Sequence, residues 1–341
     1  MHLKRADMEE KEKETIVRKR QRPRIRFKEA PPVSCLRDLI EVGNSIQFYK
    51  NLDMQMLWRI APYLEELDKL IGMKSLKESI FYQILYYLQE LHHRNQNEEY
   101  LHTIIMGPPG SGKTSTAKIL GKIYREMGIL SDKGKFKIAY RDDFIAEYLG
   151  QTAAKTRKLL KSCIGGVLFI DELYALGPGK DDKDSFSKEA LDTLTAFLSE
   201  HKNDFCCIAA GYEEDIKSCF FSMNKGLERR FPWIHTIDEY TSDELTQIAT
   251  KMIKEMNWEL GVNENIITDI IKNNKGFFKN AGGDIEILIS KCKMIHAKRV
   301  FNLDKCHKFI LSEHDLQKGF EMMKKYRVLD KNDIPPIGMY M

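Results

Sequence analysis

Residues 107–114 read GPPGSGKT, a glycine-rich stretch that ends in a lysine and a threonine. The apolar run Leu101–Met106 precedes it, and a helical pattern over Thr114–Glu126 follows it. In this setting glycines let backbone N–H groups curl around phosphate oxygens at the positive end of the helix. The stretch therefore predicts a phosphate-binding loop with Lys113 on the β- and γ-phosphates and the Thr114 hydroxyl on Mg²⁺. The alternative is a glycine-rich turn beside a surface lysine.

Two acidic residues follow another apolar run of strand length. Val167–Ile170 leads directly into Asp171 and Glu172. The carboxyl ends of parallel strands meet at the edge of the sheet where ligands bind. We expect Asp171 to hold Mg²⁺ through water and Glu172 to act as general base on the attacking water. Alone, such a run is commonly just a strand end, but its place after the phosphate-binding loop favours the catalytic interpretation.

Adjacent arginines, Arg229 and Arg230, stand just before the last apolar run of strand length. A planar guanidinium can bridge the charge that develops on a transferred phosphoryl group. The pair therefore predicts an arginine finger that acts on the site of a neighbouring subunit. An ordinary surface arginine pair is the alternative.

Apolar runs of strand length alternate with helical stretches through the middle of the chain. The runs are Leu101–Met106, Phe136–Tyr140, Val167–Ile170, Phe205–Ala210 and Trp233–Ile237. The helical stretches are Thr114–Glu126, Asp142–Lys161, Ser187–His201 and a shorter one near Glu213–Phe221. This alternation predicts a mostly parallel sheet covered on both faces.

Strand patterns stop after about Glu239. A capping box at residues 241–244 opens one helix, and three more are expected at Glu264–Asn274, Asp284–Val300 and Ser312–Tyr326. The predicted fold is an α/β P-loop core with a five-stranded parallel sheet, followed by a small all-helical lid. The predicted domains are a basic disordered tail (1–35), a helical extension (36–66), the ATPase domain (67–239), the lid (240–328) and a tail (329–341).

The positive charge of the chain is concentrated at its N-terminus. The net charge is +4, yet residues 1–30 hold eleven Lys and Arg against six Asp and Glu. Residues 18–28 form the dense basic run, which could bind nucleic-acid phosphates or act as a nuclear address. A solvated tail explains it equally well.

Three observations predict a soluble intracellular protein, cytoplasmic or nuclear, with no membrane contact. No apolar run approaches the ~20 residues that span a bilayer. The N-terminus has no apolar signal region. The seven cysteines show no paired metal-type spacing, so reduced, scattered thiols are expected.

Further stretches resemble the CbxX/CfqX family of AAA+ ATPases, which includes red-type rubisco activases and stage V sporulation ATPases. They are residues 165–174 (GGVLFIDELY), 148–156 (YLGQTAAKT) and 209–212 (AAGY). The resemblance covers roughly Leu67 to Arg299. It implies a five-stranded AAA+ core, a helical lid and a homo-oligomeric ring, usually a hexamer, with active sites between subunits.

The resemblance also implies how the ring engages its substrate. Tyr148, Leu149 and Gly150 match an aromatic pore loop, in which an exposed ring could grip an extended chain without reading its sequence. The alternative places Tyr148 in the core, on the same helix as Phe144. Residues 177–184 would form a second pore-facing loop.

Three further positions acquire roles from the family, and two of them depart from its pattern. Ile71 and Gly72 match the element that lines the adenine pocket. Tyr212 stands where many AAA+ proteins carry a small polar sensor residue. Residues 280–286 (NAGGDIE) open the third lid helix without the arginine that activase-like members carry there.

The candidate site residues fall into two groups. The nucleotide contacts are Ile71, Gly72, Gly107, Pro108, Pro109, Gly110, Ser111, Gly112, Lys113, Thr114 and Ser115. The catalytic set is Lys113, Asp171, Glu172, Arg229, Arg230 and Tyr212. The functional hypothesis is an ATP- and Mg²⁺-dependent ring that remodels a protein client through a central pore. The alternatives are a nucleic-acid motor or loader that uses the basic tail, and a non-hydrolysing scaffold.

Overall fold

The computed structural model describes residues 28–91, 100–131, 134–148, 150–177, 185–202, 204–304 and 307–332. Leu149, most of the second predicted pore loop, all but the last residue of the basic run and the tail from residue 333 lie outside these ranges. None of the helices in the described ranges is long and apolar enough to cross a membrane.

Helices come first along the described chain: α1 (Leu36–Gly43), α2 (Met54–Asp68) and α3 (Lys74–Leu88). The Asp53 carboxylate caps the start of α2 by accepting hydrogen bonds from the backbone N–H groups of Gln55 and Met56. The apolar faces of all three helices share one hydrophobic core with the central sheet. The predicted helical extension is thus packed onto the sheet.

The central sheet has five strands in the order β2-β3-β4-β1-β5, and every neighbouring pair is parallel. They are β1 (Thr103–Met106), β2 (Phe136–Ala139), β3 (Val167–Ile170), β4 (Cys206–Gly211) and β5 (Trp233–Thr236). Because successive strand residues point to opposite faces, Ile105 and Phe169 pack against one helical layer while Ile104 and Leu168 pack against the other. The predicted five-stranded parallel sheet with two covered faces is confirmed.

The connections between strands supply most of the remaining helices of this domain. They are α4 (Lys113–Glu126), α5 (Arg141–Phe144), α6 (Thr152–Lys161), α7 (Ser185–Glu200), α8 (Glu213–Asp215) and α9 (Lys225–Glu228). A 3₁₀ turn covers Leu173–Leu176, and a π-helical segment covers Ile216–Phe221.

The prediction of one continuous helix over Asp142–Lys161 is wrong. The helix stops at Phe144 and resumes at Thr152. Two threonine side chains hold the break: Thr152 Oγ1 accepts the Ala146 N–H at 3.3 Å, and Thr156 Oγ1 donates to the Phe144 carbonyl at 3.0 Å. These bonds satisfy backbone groups that a helix would otherwise pair.

The C-terminal part is mainly helical, as predicted. Its elements are α10 (Ser242–Glu255), β6 (Glu259–Leu260), α11 (Asn265–Asn273), α12 (Ala281–Arg299), β7 (Ile310–Leu311) and α13 (Glu313–Asn332). The capping box is confirmed, with Thr241 and Glu244 bonded to each other's backbone N–H. The prediction of an all-helical lid is wrong in one detail, because β6 and β7 form a parallel pair. Two-residue strands are too short to show a period in the sequence.

Candidate nucleotide site

A cavity of about 430 Å³ lies at the carboxyl edge of the sheet, between the phosphate-binding loop and the lid. Its lining consists of Pro109, Gly110, Ser111, Gly112, Lys113, Thr114, Ser115, Asp171, Glu172, Gly211, Tyr212, Met252, Gly282, Gly283 and Glu286. A larger cavity of about 820 Å³ opens between α2, α4 and the start of β2. Its lining includes neither Lys113 nor the acidic pair, so we place the site by chemistry and not by size.

The loop after β1 owes its curl to glycine. Gly110 has φ +64° and Gly112 has φ +88°, in the left-handed region where a side chain is strained. The Ser111 hydroxyl is buried and has no hydrogen-bond partner among the described residues. Buried polar groups are almost always paired, so this hydroxyl, beside loop N–H groups at the start of α4, suits an anionic oxygen.

Lys113 is folded back onto its own loop. Its Nζ donates to the carbonyls of Gly107 at 3.0 Å and Pro108 at 2.8 Å. Burial lowers the pKa of this amine, and the nearby charges of Asp171 and Glu172 partly oppose that shift. The Tyr212 ring, just beyond β4, lies 5.1 Å from Nζ, within cation–π range. The ammonium is thus ringed by electron-rich groups at the cavity.

The acidic pair after β3 meets the phosphate-binding loop. Thr114 Oγ1 donates to Asp171 Oδ2 at 3.1 Å. The Glu172 N–H donates to Asp171 Oδ1 at 3.1 Å, and Glu172 itself adopts φ +51°. A hydroxyl and a carboxylate at one point of the cavity are oxygen donors of the kind Mg²⁺ prefers. The residues present therefore fit that ion.

The two arginines before β5 have different surroundings. Arg230 Nε donates to Ser199 Oγ at 2.7 Å, and its Nη1 donates to the Gly226 carbonyl at 2.5 Å. It is half-buried and ties α9 to α7 within its own subunit. Arg229 is exposed. Of the pair, Arg229 is therefore the side chain at the surface.

Tyr148 and Gly150, the two described residues of the predicted pore loop, lie outside helix and strand and are exposed. Tyr148 is 67% exposed, whereas Phe144 is fully buried. Gly150 adopts φ +80°, and a Cβ added there would meet open space. The alternative that placed Tyr148 in the core is wrong.

The predicted adenine element packs between the phosphate-binding loop and the start of the lid. A Cβ on Gly72 would lie 3.0 Å from the Tyr240 ring. The Tyr240 hydroxyl donates to the Ser111 carbonyl at 2.9 Å, and the Met73 sulfur accepts a long contact from Thr116 Oγ1 at 3.8 Å. Neither Ile71 nor Gly72 lines the 430 Å³ cavity.

The lid residues of the cavity were not predicted as site residues. They are Met252, Gly282, Gly283 and Glu286. Met252 shows in the sequence only as one position of an apolar helical face, so no signal sets it apart. The glycines were visible as the helix opening without an arginine, and the four lid residues of the lining include no cation.

Comparisons with known proteins identify the family to which the chain belongs. Residues 103–231 match the family described as "ATPase family associated with various cellular activities (AAA)". A putative cfxQ-like protein of Acanthamoeba polyphaga mimivirus is 40% identical over 292 residues, which cover 84% of this chain and 71% of that protein. The chain belongs to the CbxX/CfqX family of AAA ATPases. It is therefore an ATP-hydrolysing enzyme.

Two other comparisons are consistent with membership of this AAA family. The chloroplastic ribulose bisphosphate carboxylase/oxygenase activase of Cyanidioschyzon merolae is 33% identical over 257 residues, covering 71% of this chain and 80% of that protein. The crystal structure of the FIGL-1 AAA domain in complex with ADP superposes with a TM-score of 0.55 at 16% identity, covering 77% of this chain and 89% of that one. At that identity the superposition supports the fold alone.

Proposed function

We propose that ATP and Mg²⁺ bind at the 430 Å³ cavity and that the residues around it carry out the hydrolysis. The meeting of Thr114 with Asp171 is the observation that carries this proposal, since it joins the phosphate-binding loop to the acidic pair. The Ser111 hydroxyl, which has no hydrogen-bond partner among the described residues, and the left-handed glycines support it.

Each charged residue of the site has a distinct task. Lys113 leaves the carbonyls of its own loop for phosphate oxygens, which are stronger acceptors for an ammonium. Thr114, and Asp171 through water, would hold Mg²⁺, which would supply positive charge to the phosphates. Glu172, whose carboxylate is exposed at the cavity, orients water and accepts its proton. Tyr212 steers Lys113 through its ring face.

We further propose that the chain assembles into a ring, a hexamer as is usual in the family. In this ring Arg229 would complete the site of the neighbouring subunit. The exposure of Arg229 beside an internally bonded Arg230 supports this assignment. A guanidinium supplied in trans stabilises charge on the γ-phosphate only when subunits associate. The isolated subunit is then a poor ATPase.

The work output we propose is the remodelling of a protein client gripped at a central pore. An aromatic ring that is 67% exposed on an irregular loop is available to pack against any extended chain. The client itself is a protein whose chemistry the pore loop does not select.

The test of this output uses a permanently unfolded protein, such as reduced and carboxymethylated lactalbumin, as the probe. We expect it to raise the ATPase rate of the wild type and to have much less effect on the rate of Tyr148→Ala. Tyr148→Phe should retain the stimulation, because the ring and not the hydroxyl makes the contact. Tyr82→Ala, at another exposed tyrosine on α3, is the matched control. Equal stimulation of wild type and Tyr148→Ala would show that Tyr148 does not contact the client.

A further inference from the structure

Asp284 lies in the first turn of α12 and is fully buried. Its Oδ2 accepts the backbone N–H of Asn280 at 2.7 Å, which caps the helix. Its Oδ1 accepts a hydrogen bond from Arg327 Nη2 on α13. Arg327 is half-buried, whereas Asp284 is fully buried, so removal of the guanidinium leaves a buried carboxylate without its cation. The opening of α12 therefore depends on a residue from the far end of the described chain.

Arg327 also reaches the other side of the turn that precedes α12. Its Nη1 donates to the carbonyl of Phe277, in the 3₁₀ turn at Lys275–Phe277. The planar guanidinium thus bonds to Phe277 on one side of residues 278–283 and to Asp284 on the other. Between them, Ala281 adopts φ +44°, a conformation that a non-glycine residue keeps only when its surroundings enforce it.

The same turn touches the phosphate-binding loop through its backbone. A Cβ added to Gly110 would lie 2.5 Å from the Asn280 carbonyl oxygen and 2.6 Å from the Gly283 nitrogen. A Cβ on Gly282 would lie 2.9 Å from the Gly110 carbonyl oxygen. The two segments are in close contact only because glycines face each other. Any shift of the α12 start therefore moves a wall of the nucleotide cavity.

We propose that Arg327 is a positioning residue for the nucleotide site, acting through Asp284 to hold the start of α12 against the phosphate-binding loop. This inference rests on the site proposed above. Among the lid residues that the structure describes, no cation lines the cavity. The lid reaches the loop through packed backbone, and the Arg327–Asp284 pair fixes that packing.

The test measures the nucleotide affinity of a folded Arg327→Lys variant. Lysine keeps the charge that compensates Asp284, but one ammonium cannot reproduce the fork that spans Asp284 and Phe277. We expect the dissociation constant for ADP and the KM for ATP to rise at least about five-fold, with a smaller change in kcat. Lys325→Gln, at an exposed position on the same helix, should bind as the wild type does. A folded Arg327→Lys protein with wild-type affinity and KM would overturn the proposal.

A second measurement needs no variant of the pair. Hydrogen exchange on the wild-type protein should slow in residues 280–286 when ADP is added, together with residues 107–112. Protection of the loop without protection of residues 280–286 would also overturn the proposal. Lys113→Ala distinguishes failure of the proposed nucleotide site from failure of the positioning role of Arg327. If this variant binds ADP as well as the wild type does, the proposed site itself is wrong. If Lys113→Ala does not bind ADP while Arg327→Lys binds it as tightly as the wild type does, only the positioning role fails.

Discussion

Asp171 and Glu172 are neighbours in the chain, yet their backbone conformations and hydrogen bonds differ. Asp171 accepts hydrogen bonds from Thr114 and from the Glu172 N–H. Glu172 stands at φ +51° with its side chain exposed. Glu172, the second residue after β3, is thus left-handed, while Asp171 before it is bonded to the phosphate-binding loop. These different surroundings suit the proposed division of roles, with Asp171 at the metal ion and Glu172 at the attacking water.

Replacement of Glu172 by Gln tests the second of these tasks. The amide keeps the shape of the side chain but cannot accept a proton, so kcat should fall by roughly 100-fold or more. ATP should still bind, since the loop and Asp171 are untouched. Phosphate release and equilibrium binding of ATP measure the two effects. Glu213→Gln, at an exposed glutamate on α8, is the control, and equal phosphate release from Glu172→Gln and wild type would show that Glu172 is not the base.

Alanine substitutions at the two adjacent arginines should have different effects, one on activity and the other on stability. Arg229→Ala should lose about 1,000-fold in kcat and unfold as the wild type does. Arg230→Ala loses hydrogen bonds to Ser199 and Gly226 and should lower the free energy of unfolding by about 1–2 kcal/mol. Denaturant unfolding and phosphate release on the same samples distinguish them. Loss of stability in Arg229→Ala with activity intact would reverse the assignment.

At the scale of elements, a buried histidine joins α3 to β5. The His235 Nε2–H donates to Gln83 Oε1 at 2.9 Å, and the Ser79 hydroxyl donates to His235 Nδ1 at 2.7 Å. Burial lowers the pKa of His235 from 6.5 to about 4. The folded protein therefore keeps this imidazole neutral at pH values where the unfolded chain binds a proton.

This difference gives stability a pH dependence of definite sign. Because the unfolded state binds more protons below pH 6.5, His235 should remove about 2 kcal/mol from the free energy of unfolding between pH 7 and pH 5. Above pH 7 its contribution is constant. Denaturant titrations at each pH give the slope. His235→Gln should be less stable at pH 7 but flatter across this window, and an unchanged slope would exclude His235 as its source.

Elements with a clear periodicity of apolar residues could be predicted from the sequence. Elements whose ends depend on hydrogen bonds from side chains to the backbone could not. The five strands and the helix after the phosphate-binding loop follow from apolar spacing and one motif. The break between α5 and α6 depends on Thr152 and Thr156, whose hydroxyls pair loop backbone groups. Within the site, the loop and the acids were visible as motifs. The contact of Gly282 with Gly110 arises from tertiary packing, and no local pattern encodes it.

At the scale of the whole molecule, the described residues include most of the proposed catalytic site, but the candidate arginine finger is exposed at the surface. Arg229 is exposed, while Lys113, Thr114 and Asp171 gather around one cavity. The specific ATPase rate should therefore rise with protein concentration until the ring is complete. Phosphate release across a dilution series, with sedimentation at the same concentrations, should show both transitions together. A specific rate that is independent of concentration while subunits dissociate would contradict the shared site.

The central claim is that one subunit supplies the acids and its neighbour supplies Arg229, and a mixing experiment tests it most directly. Arg229→Ala and Glu172→Gln should each be nearly inactive alone. In an equimolar mixture that exchanges subunits at random, about a quarter of the interfaces join an intact Glu172 to an intact Arg229. Phosphate release should then recover to roughly that fraction of the wild-type rate. A mixture no more active than the average of its two components would contradict the claim.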